Sequence, residues 1–417
     1  MRSLVRRSVL FLSQKKGVEK TAVRYAFGDY TSKIITAFSF PIIASNMGFE
    51  NTGKYDLILT SCIIAAPVFT LHISDAIYRW LTDPSSFEQK KGYSNGLAFL
   101  MAVLIFIIGT FPITNLFYSS TLLLPAYCLL ISLIIYRACQ QVIRGLGLIN
   151  KYAIASIFNA LTYASIALVG LILFKKDLPF VLFAMTFGNL LASVLLIIPI
   201  TKRRIWSPST IGVDQMFSLI KFSFPLLVNS LGWMLVIQLN KYVIAYFFGN
   251  DENGIYAITE RLASPIYLLA FYYYFSTQDH FLKSSEVRRD SSFLFKIIKK
   301  LVLISGIGTI ILQLLYMVFL PHFFPDLTVV LRYIPAMAVA NILLAITTFL
   351  GIPYIQSKDS NILAHTTLYG LAIMALTTAL SITPLGLYGV YLSISLGTLL
   401  TIVMRLKYTK HYYLKSL

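Results

Sequence analysis

Residues 222–261 read FSFPLLVNSLGWMLVIQLNKYVIAYFFGNDENGIYAITER, and this stretch decides the fold. Its first part, about 27 residues with Lys241 as the single charge, is long enough to cross a hydrocarbon core of about 30 Å. The following GNDENGI combines glycines, asparagines and acids, which end helices and reverse the chain. A second apolar helix then carries Glu260 and Arg261. The stretch predicts a transmembrane hairpin with charges at membrane depth, where they are costly and mark functional candidates.

The whole chain has the composition of a membrane protein. Its 417 residues are 57% hydrophobic and 12% charged, and the mean hydropathy is +0.74, more apolar than a soluble domain requires. The three cysteines lie in apolar runs, so we expect packing residues rather than disulfides or zinc ligands. Residues 1–30 are basic and lack a signal-peptide core, which predicts a cytoplasmic tail.

Hydropathy predicts about twelve transmembrane helices. The expected limits are 28–47, 55–78, 94–117, 119–140, 152–174, 178–200, 219–248, 254–277, 297–320, 328–350, 362–382 and 384–404. The tail and the loops on one side hold 28 Lys and Arg residues, and the opposite loops hold 4. This asymmetry places both termini in the cytoplasm. The net charge of +18 is therefore an orientation signal, and no nucleic-acid partner is expected.

An internal repeat divides the predicted helices into two halves. The motif G-x-Y occurs at 53–55 and 254–256, each time at the start of an even-numbered predicted helix and with an offset of 201 residues. A second repeated motif, FSFP at 38–41 and 222–225, has an offset that conflicts with the first, and we interpret it as a chance repetition. We expect an N-terminal tail and six-helix bundle over 1–210 and a second six-helix bundle over 211–417, as in secondary transporters built from parallel repeats.

Enzyme signatures are missing from the sequence. It contains no HExxH, GxSxG or Walker-type glycine loop and no Cys/His ligand cluster, and the predicted external loops are short. We therefore expect no enzymatic activity, no cofactor and no metal.

Several segments resemble one known family. They are FPLLVNSLGWMLVIQLNKYVIAYFFGNDENGIYAITERL at 224–262, FENTGKYDLIL at 49–59, DAIYRWL at 75–81, IRGLGLINKYA at 143–153 and LGLYGVYLSISLGTLL at 385–400. They resemble the multidrug/oligosaccharidyl-lipid/polysaccharide (MOP) exporter superfamily, in the branch of O-antigen and capsule flippases. The resemblance implies a MATE-like fold, two bundles around a central cavity, in the bacterial inner membrane.

The same resemblance implies a cargo and partners. The cargo would be a polyprenyl-pyrophosphate-linked oligosaccharide that changes leaflets by alternating access, for O-antigen, capsule or exopolysaccharide synthesis. Membrane lipids, other polysaccharide-assembly proteins and a counter-ion, H⁺ or Na⁺, are the expected partners. Two alternatives stay open: a cation-coupled multidrug antiporter of the same fold, and a membrane polymerase or ligase acting on lipid-linked sugars.

Two groups of charged residues are the candidate sites. Lys241 and Glu260 lie at similar distances from the predicted turn, so we expect them at one depth, with Arg261 on a neighbouring face. In the predicted second helix, His72, Asp75 and Arg79 share one face. The expected substrate-binding residues are the four basic ones: Lys241, Arg261, Arg79, and Lys33 in the predicted first helix.

Each of these residues also has a structural interpretation. Lys241 and Glu260 could form a static ion pair that fixes the hairpin, whereas in a functional site Glu260 and Asp75 would take up the coupling ion. Arg79 and Lys33 could extend to the membrane interface, with Asp75 as the partner of Arg79 at i, i+4. The sequence leaves both interpretations open.

Overall fold

The computed structural model describes residues 2–83, 85–118, 120–208, 211–283, 291–357 and 360–414. Its description of side chains leaves out 2–30, 228–229, 232–233, 235–237, 268–269, 271–273, 275–283, 291–294, 355–357, 360–361 and 409–414. The predicted basic tail at 1–30 thus lies outside the described side chains.

All regular structure in the described ranges is helical. The helices are α1 (Arg2–Thr70), α2 (Ile73–Leu81), α3 (Ser86–Phe117), α4 (Leu123–Gly145), α5 (Ile149–Phe174), α6 (Leu178–Lys202), α7 (Val213–Lys283), α8 (Ser291–Phe323), a 3₁₀ segment (Pro325–Arg332), α9 (Ile334–Phe349), α10 (Ile352–Ser357), α11 (Ser360–Leu385) and α12 (Leu387–Leu414).

Single glycines interrupt the two longest helices, α1 and α7. Gly48 has φ 77° and ψ 166°, and Gly249 has φ 86° and ψ −179°, a region of backbone space that is open essentially only to glycine. The expected loops at 48–54 and 249–253 are wrong, because one glycine makes each break and the residues after it already belong to the next helical segment. The two glycines have the same sequence offset as the G-x-Y motifs.

A second kind of break separates α1 from α2. Leu71 and His72 have φ values of 47° and 56°, and two consecutive residues in the left-handed region cannot continue a right-handed helix. The segments on either side are bent by 61°. The expected uninterrupted helix over 55–78 is therefore wrong at its C-terminal end, and the candidate residue Asp75 lies in a separate short helix.

Other helix limits also differ from the predictions. Helix α4 continues to Gly145 rather than ending at 140, and α9 begins only at Ile334, after the 3₁₀ segment. The break between α11 and α12 is Gly386, with φ 57°, rather than the Ile-Thr-Pro sequence before it.

The helices present apolar side chains outward, as expected in a bilayer. On α3 and α8, side chains such as Ile105, Phe106, Leu303 and Val318 are exposed on the surface of the chain. Apolar surface of this extent is not stable in water, and lipid is the solvent that fits it. Among the described residues, eight helices are long and apolar enough to cross a membrane, or nine if the bent pair at the end of α1 counts as one span. The chain is a multi-pass membrane protein, and the count of twelve stays a prediction.

The chain forms two compact units. Unit 1 comprises Met1–Met47 and Lys54–Leu239, and unit 2 comprises Gly48–Gly53 and Asn240–Leu417. The predicted halves at 1–210 and 211–417 rest on the sequence repeat and stay a prediction.

In unit 1, buried amides and a hydroxyl connect three packed helices. Asn159 of α5 donates to Asn189 of α6 over 3.0 Å, and Asn189 donates to Ser132 of α4 over 3.1 Å. Inside hydrocarbon such groups must find partners within the protein, so the network fixes which faces of α4, α5 and α6 meet.

In unit 2, small residues allow α11 and α12 to pack closely. A Cβ on Gly370 would lie 2.9 Å from the carbonyl oxygen of Gly397, and a Cβ on Gly397 would lie 2.6 Å from that of Gly370. Close backbone approach through glycine is a common mode of helix association in membranes. A hydrogen bond of 2.7 Å from Thr378 to Ser393 supports the same contact.

Candidate functional site

An ion pair connects the two arms of the kinked helix α7. The Nζ atom of Lys241 lies 2.9 Å from Oε2 of Glu260, and the exposed fractions of the two side chains are 6% and 24%. An unbroken helix would place these residues about 28 Å apart, at 1.5 Å per residue. The pair therefore shows that α7 folds back at Gly249, and it confirms the expected proximity of Lys241 and Glu260.

Close backbone packing positions this folded-back helix. A Cβ on Gly254 would lie 2.1 Å from the carbonyl oxygen of Phe49, and a Cβ on Gly53 would lie 1.9 Å from that of Asn250. The side chain of Asn253 donates to the carbonyl oxygen of Gly53 over 3.0 Å. The glycines of the two G-x-Y motifs thus make reciprocal contacts, and they fix the segment that leads to Glu260.

Arg261 follows Glu260 directly and is partly buried in unit 2. Its side chain leaves the helix about 100° away from that of Glu260. Unit 2 thus contains the Lys241–Glu260 ion pair and a second basic residue, Arg261, next to Glu260 in the sequence. Lys33 lies in unit 1 and is also partly buried, on α1.

The other candidate acid, Asp75, lies in the first turn of α2 and has two hydrogen-bond partners. Its Oδ2 lies 2.5 Å from Nδ1 of His72, and its Oδ1 accepts from Nε2 of Gln141 over 2.7 Å. The other ring nitrogen of His72 lies 2.6 Å from the hydroxyl of Ser230 on α7. The hypothesis that Asp75 pairs with Arg79 is wrong: both residues lie in α2, but the carboxylate of Asp75 contacts His72 and Gln141, and Arg79 is exposed.

A polar cavity of about 230 Å³ adjoins Asp75 inside unit 1. Residues from the end of α1, from α2, α4 and α5 line it: Ala66, Pro67, Thr70, His72, Ser74, Asp75, Ile134, Arg137, Gln140, Gln141, Arg144 and Tyr152. Two arginines, one carboxylate and two amides are an unusual lining for a space between apolar helices, and polar groups at such positions are functional candidates.

Sequence reasoning missed several of these residues. Arg137 and Arg144 were counted with a cytoplasmic loop, yet with Gln140 and Gln141 they have the spacing i, i+3, i+4, i+7 of one helix face. This polar stripe on one helix face could have identified these residues as site candidates from the sequence alone. Asp56, which is only 2% exposed, was overlooked because it lies next to the expected loop at 48–54.

Comparison with known sequences gives the family. A model of the family described as "Polysaccharide biosynthesis protein" matches residues 20–277, more than half of the chain. The chain belongs to this family. No curated protein sequence matches it significantly.

Solved structures show the fold of this family member. An inward-facing multidrug resistance MATE family transporter of the MOP superfamily aligns with a TM-score of 0.66 at 14% identity, covering 91% of this chain and 94% of the other. An outward-facing structure from the same family and superfamily gives a TM-score of 0.60 at 14% identity, with coverages of 94% and 95%. A MATE in the straight conformation gives 0.62 at 15% identity, with 96% of both chains covered. The fold of the chain is therefore MATE-like.

Proposed function

We propose that this chain is a transporter of the MOP superfamily, which moves a polyprenyl-pyrophosphate-linked oligosaccharide from the cytoplasmic to the outer leaflet of the bacterial inner membrane, for O-antigen, capsule or exopolysaccharide synthesis. The observation that carries the proposal is the buried Lys241, which forms an ion pair of 2.9 Å with Glu260. A further basic residue, Arg261, directly follows Glu260 in the sequence. A diphosphate cannot cross hydrocarbon unaided, and cations inside the membrane are what it needs. Membership of a polysaccharide biosynthesis family supports this cargo.

Each candidate residue has a proposed role. Lys241, Arg261, Arg79 and Lys33 bind the diphosphate, and Arg261 and Arg79 do so through the planar fork of the guanidinium. Glu260 and Asp75 take up the coupling ion, H⁺ or Na⁺.

The proposed architecture has twelve membrane helices, cytoplasmic termini, and repeats over 1–210 and 211–417. The glycine kinks at Gly48 and Gly249 support the repeat, because they share the offset of the G-x-Y motifs. The two halves alternate access to the cargo. Other polysaccharide-assembly proteins would act before and after the transporter, which needs no cofactor and carries out no catalysis itself.

A cation-coupled multidrug antiporter is the second candidate. Such a transporter would need more than one acid within its N-terminal half. Asp56, buried in unit 1, adds a second carboxylate to Asp75 and favours this alternative.

A deletion strain of the source organism tests the proposal. We expect it to lose surface polysaccharide and to accumulate lipid-linked repeat units, with unchanged sensitivity to drugs. Plasmid-borne wild type and Lys202→Ala, a change at an exposed lysine at the end of α6, should restore the polysaccharide. Lys241→Ala and Arg261→Ala should fail while reaching the same level in the membrane. Normal surface polysaccharide in the deletion strain would refute the proposal, and altered drug sensitivity would favour the antiporter.

A further inference from the structure

The cavity in unit 1 has a basic wall formed by one face of α4. Arg137, Gln140, Gln141 and Arg144 all line it. Because Arg137 and Arg144 are seven residues apart, their side chains leave the helix within about 20° of each other. The two side chains therefore enter the same cavity from positions two helical turns, about 10.5 Å, apart.

The cavity carries an excess of positive charge. Its charged lining consists of Arg137 and Arg144 against a single carboxylate, Asp75, with His72 as the remaining titratable neighbour besides Tyr152. Both Asp75 oxygens are already engaged, one by His72 and one by Gln141. Gln141 also accepts from Arg144 over 2.9 Å, so its amide is held between Asp75 and Arg144. One carboxylate thus neutralises at most one of the two arginines.

Arg137 is the group whose hydrogen-bonding capacity is unused. It is partly buried and interacts electrostatically with Asp75, but within the described part of the chain its guanidinium donates no hydrogen bond. A guanidinium has five N–H donors, and polar groups inside proteins are normally satisfied. Arg144, in contrast, is held by Gln141 and lies over the ring of Tyr78 at 5.1 Å.

We propose that this cavity binds a phosphate-bearing anion, with Arg137 as the principal ligand and Arg144 as the second. A planar guanidinium matches two oxygens of one phosphate, and such charge-assisted bonds are strong where water is scarce. The phosphate belongs to a soluble anion or to a lipid headgroup. This site goes beyond the proposed function, since its lining contains none of the four residues proposed there to bind the cargo, and its test measures binding without transport.

The test uses the purified full-length protein in nanodiscs of phosphatidylcholine and titrates inorganic pyrophosphate by calorimetry. We expect the wild type to bind. Arg137→Gln should weaken binding about tenfold or more, as expected for a charge-assisted hydrogen bond, and Arg144→Gln should weaken it less. Asp75→Asn should strengthen binding, because it removes the competing carboxylate; a purely structural role of Asp75 would give the opposite. The control is Lys151→Gln, at an exposed lysine near the start of α5 that does not line the cavity, and its affinity should be unchanged.

A second arm distinguishes the sources of the phosphate. The titration is repeated in nanodiscs with phosphatidylglycerol and in nanodiscs with the same fraction of oleic acid, which is anionic but has no phosphate. If phosphatidylglycerol weakens pyrophosphate binding and oleic acid does not, the site is assigned to a lipid headgroup. If neither changes the binding measured in phosphatidylcholine, the site is assigned to a soluble anion. If Arg137→Gln fails to fold, Arg137→Lys is measured instead. It retains the positive charge but lacks the planar guanidinium that binds two phosphate oxygens, so it should also weaken binding. The proposal is overturned if the wild type shows no binding, or if folded Arg137 variants bind like wild type.

Discussion

Lys241 and Glu260 form an ion pair of 2.9 Å across the glycine kink of α7. The pair is asymmetric, because the Lys241 side chain is 6% exposed and that of Glu260 is 24% exposed. Removing one partner therefore has different consequences at the two positions: the lysine loses its counter-charge in a buried place, while the carboxylate retains some access to solvent.

We predict that Glu260→Gln destabilises the protein more than Lys241→Met. Leaving a buried charge without its partner costs about 3–5 kcal/mol, and the more exposed carboxylate should cost less. The measurement is the thermal unfolding midpoint in detergent for both single variants and the double variant. The double variant should be more stable than the sum of the single effects implies. Additive effects would show that the pair contributes no coupling energy.

The kink at Gly249 should tolerate no side chain, even though there is room for one. No atom lies within 4 Å of a Cβ placed there, so Gly249→Ala tests the backbone conformation alone. We expect a loss of about 1–3 kcal/mol, from holding a non-glycine residue in this region of φ and ψ. The control is Gly306→Ala in α8, which is equally open but has helical φ, and it should be neutral or stabilising. Equal effects of both changes would contradict the kink.

A side chain at position 254 should be unfavourable for a different reason, which is steric. A Cβ at this position would meet the carbonyl oxygen of Phe49 at 2.1 Å, and backbone atoms on both sides would have to move. We predict that Gly254→Ala lowers the unfolding midpoint and shifts the Glu260 arm of α7, so that transport is impaired as well. Gly308→Ala, in open space on α8, serves as the control in both assays. Wild-type behaviour of Gly254→Ala would rule out the close approach.

Arg405 should contribute to the stability of unit 2. It is 1% exposed, and it donates to the carbonyl oxygen of Thr347 at 2.5 Å and to the hydroxyls of Thr366 and Thr367 at 3.2 and 3.0 Å. One side chain thus connects α9, α11 and α12. Arg405→Ala would leave these acceptors unsatisfied, at a cost of about 1–3 kcal/mol. We expect a clear drop of the unfolding midpoint, in contrast to Lys407→Ala at an exposed position. Equal midpoints would contradict this role.

The sequence predicted features that depend on local pattern. Apolar runs located the helices, and the similar distances of Lys241 and Glu260 from the predicted turn placed them together, because helical rise is uniform. Each G-x-Y motif proved to contain a glycine that closely approaches the backbone next to the other motif.

Features that depend on backbone conformation or on tertiary neighbours were not predicted. Polar residues after Gly249 indicated a loop, but the glycine alone makes the break and those residues are helical. Nothing in the apolar sequence before Asp75 shows that Leu71 and His72 adopt positive φ, so the break between α1 and α2 was not predicted. The partner of Asp75 was misassigned because Gln141 lies on another helix. Arg144 lies on α4 rather than in the loop expected after residue 140, and positive-inside counting treats both positions alike.

The most direct test is to measure which leaflet the lipid-linked repeat unit occupies. It tests the claim that Lys241 and Arg261 shelter an anionic headgroup while the headgroup crosses the membrane. In intact spheroplasts of the deletion strain, impermeant periodate oxidises only sugars that face outward. With wild type or Lys202→Ala, most of the labelled repeat unit should be oxidised. With Lys241→Ala or Arg261→Ala at equal protein level, it should stay protected. An oxidised fraction equal to wild type in both variants would contradict the claim.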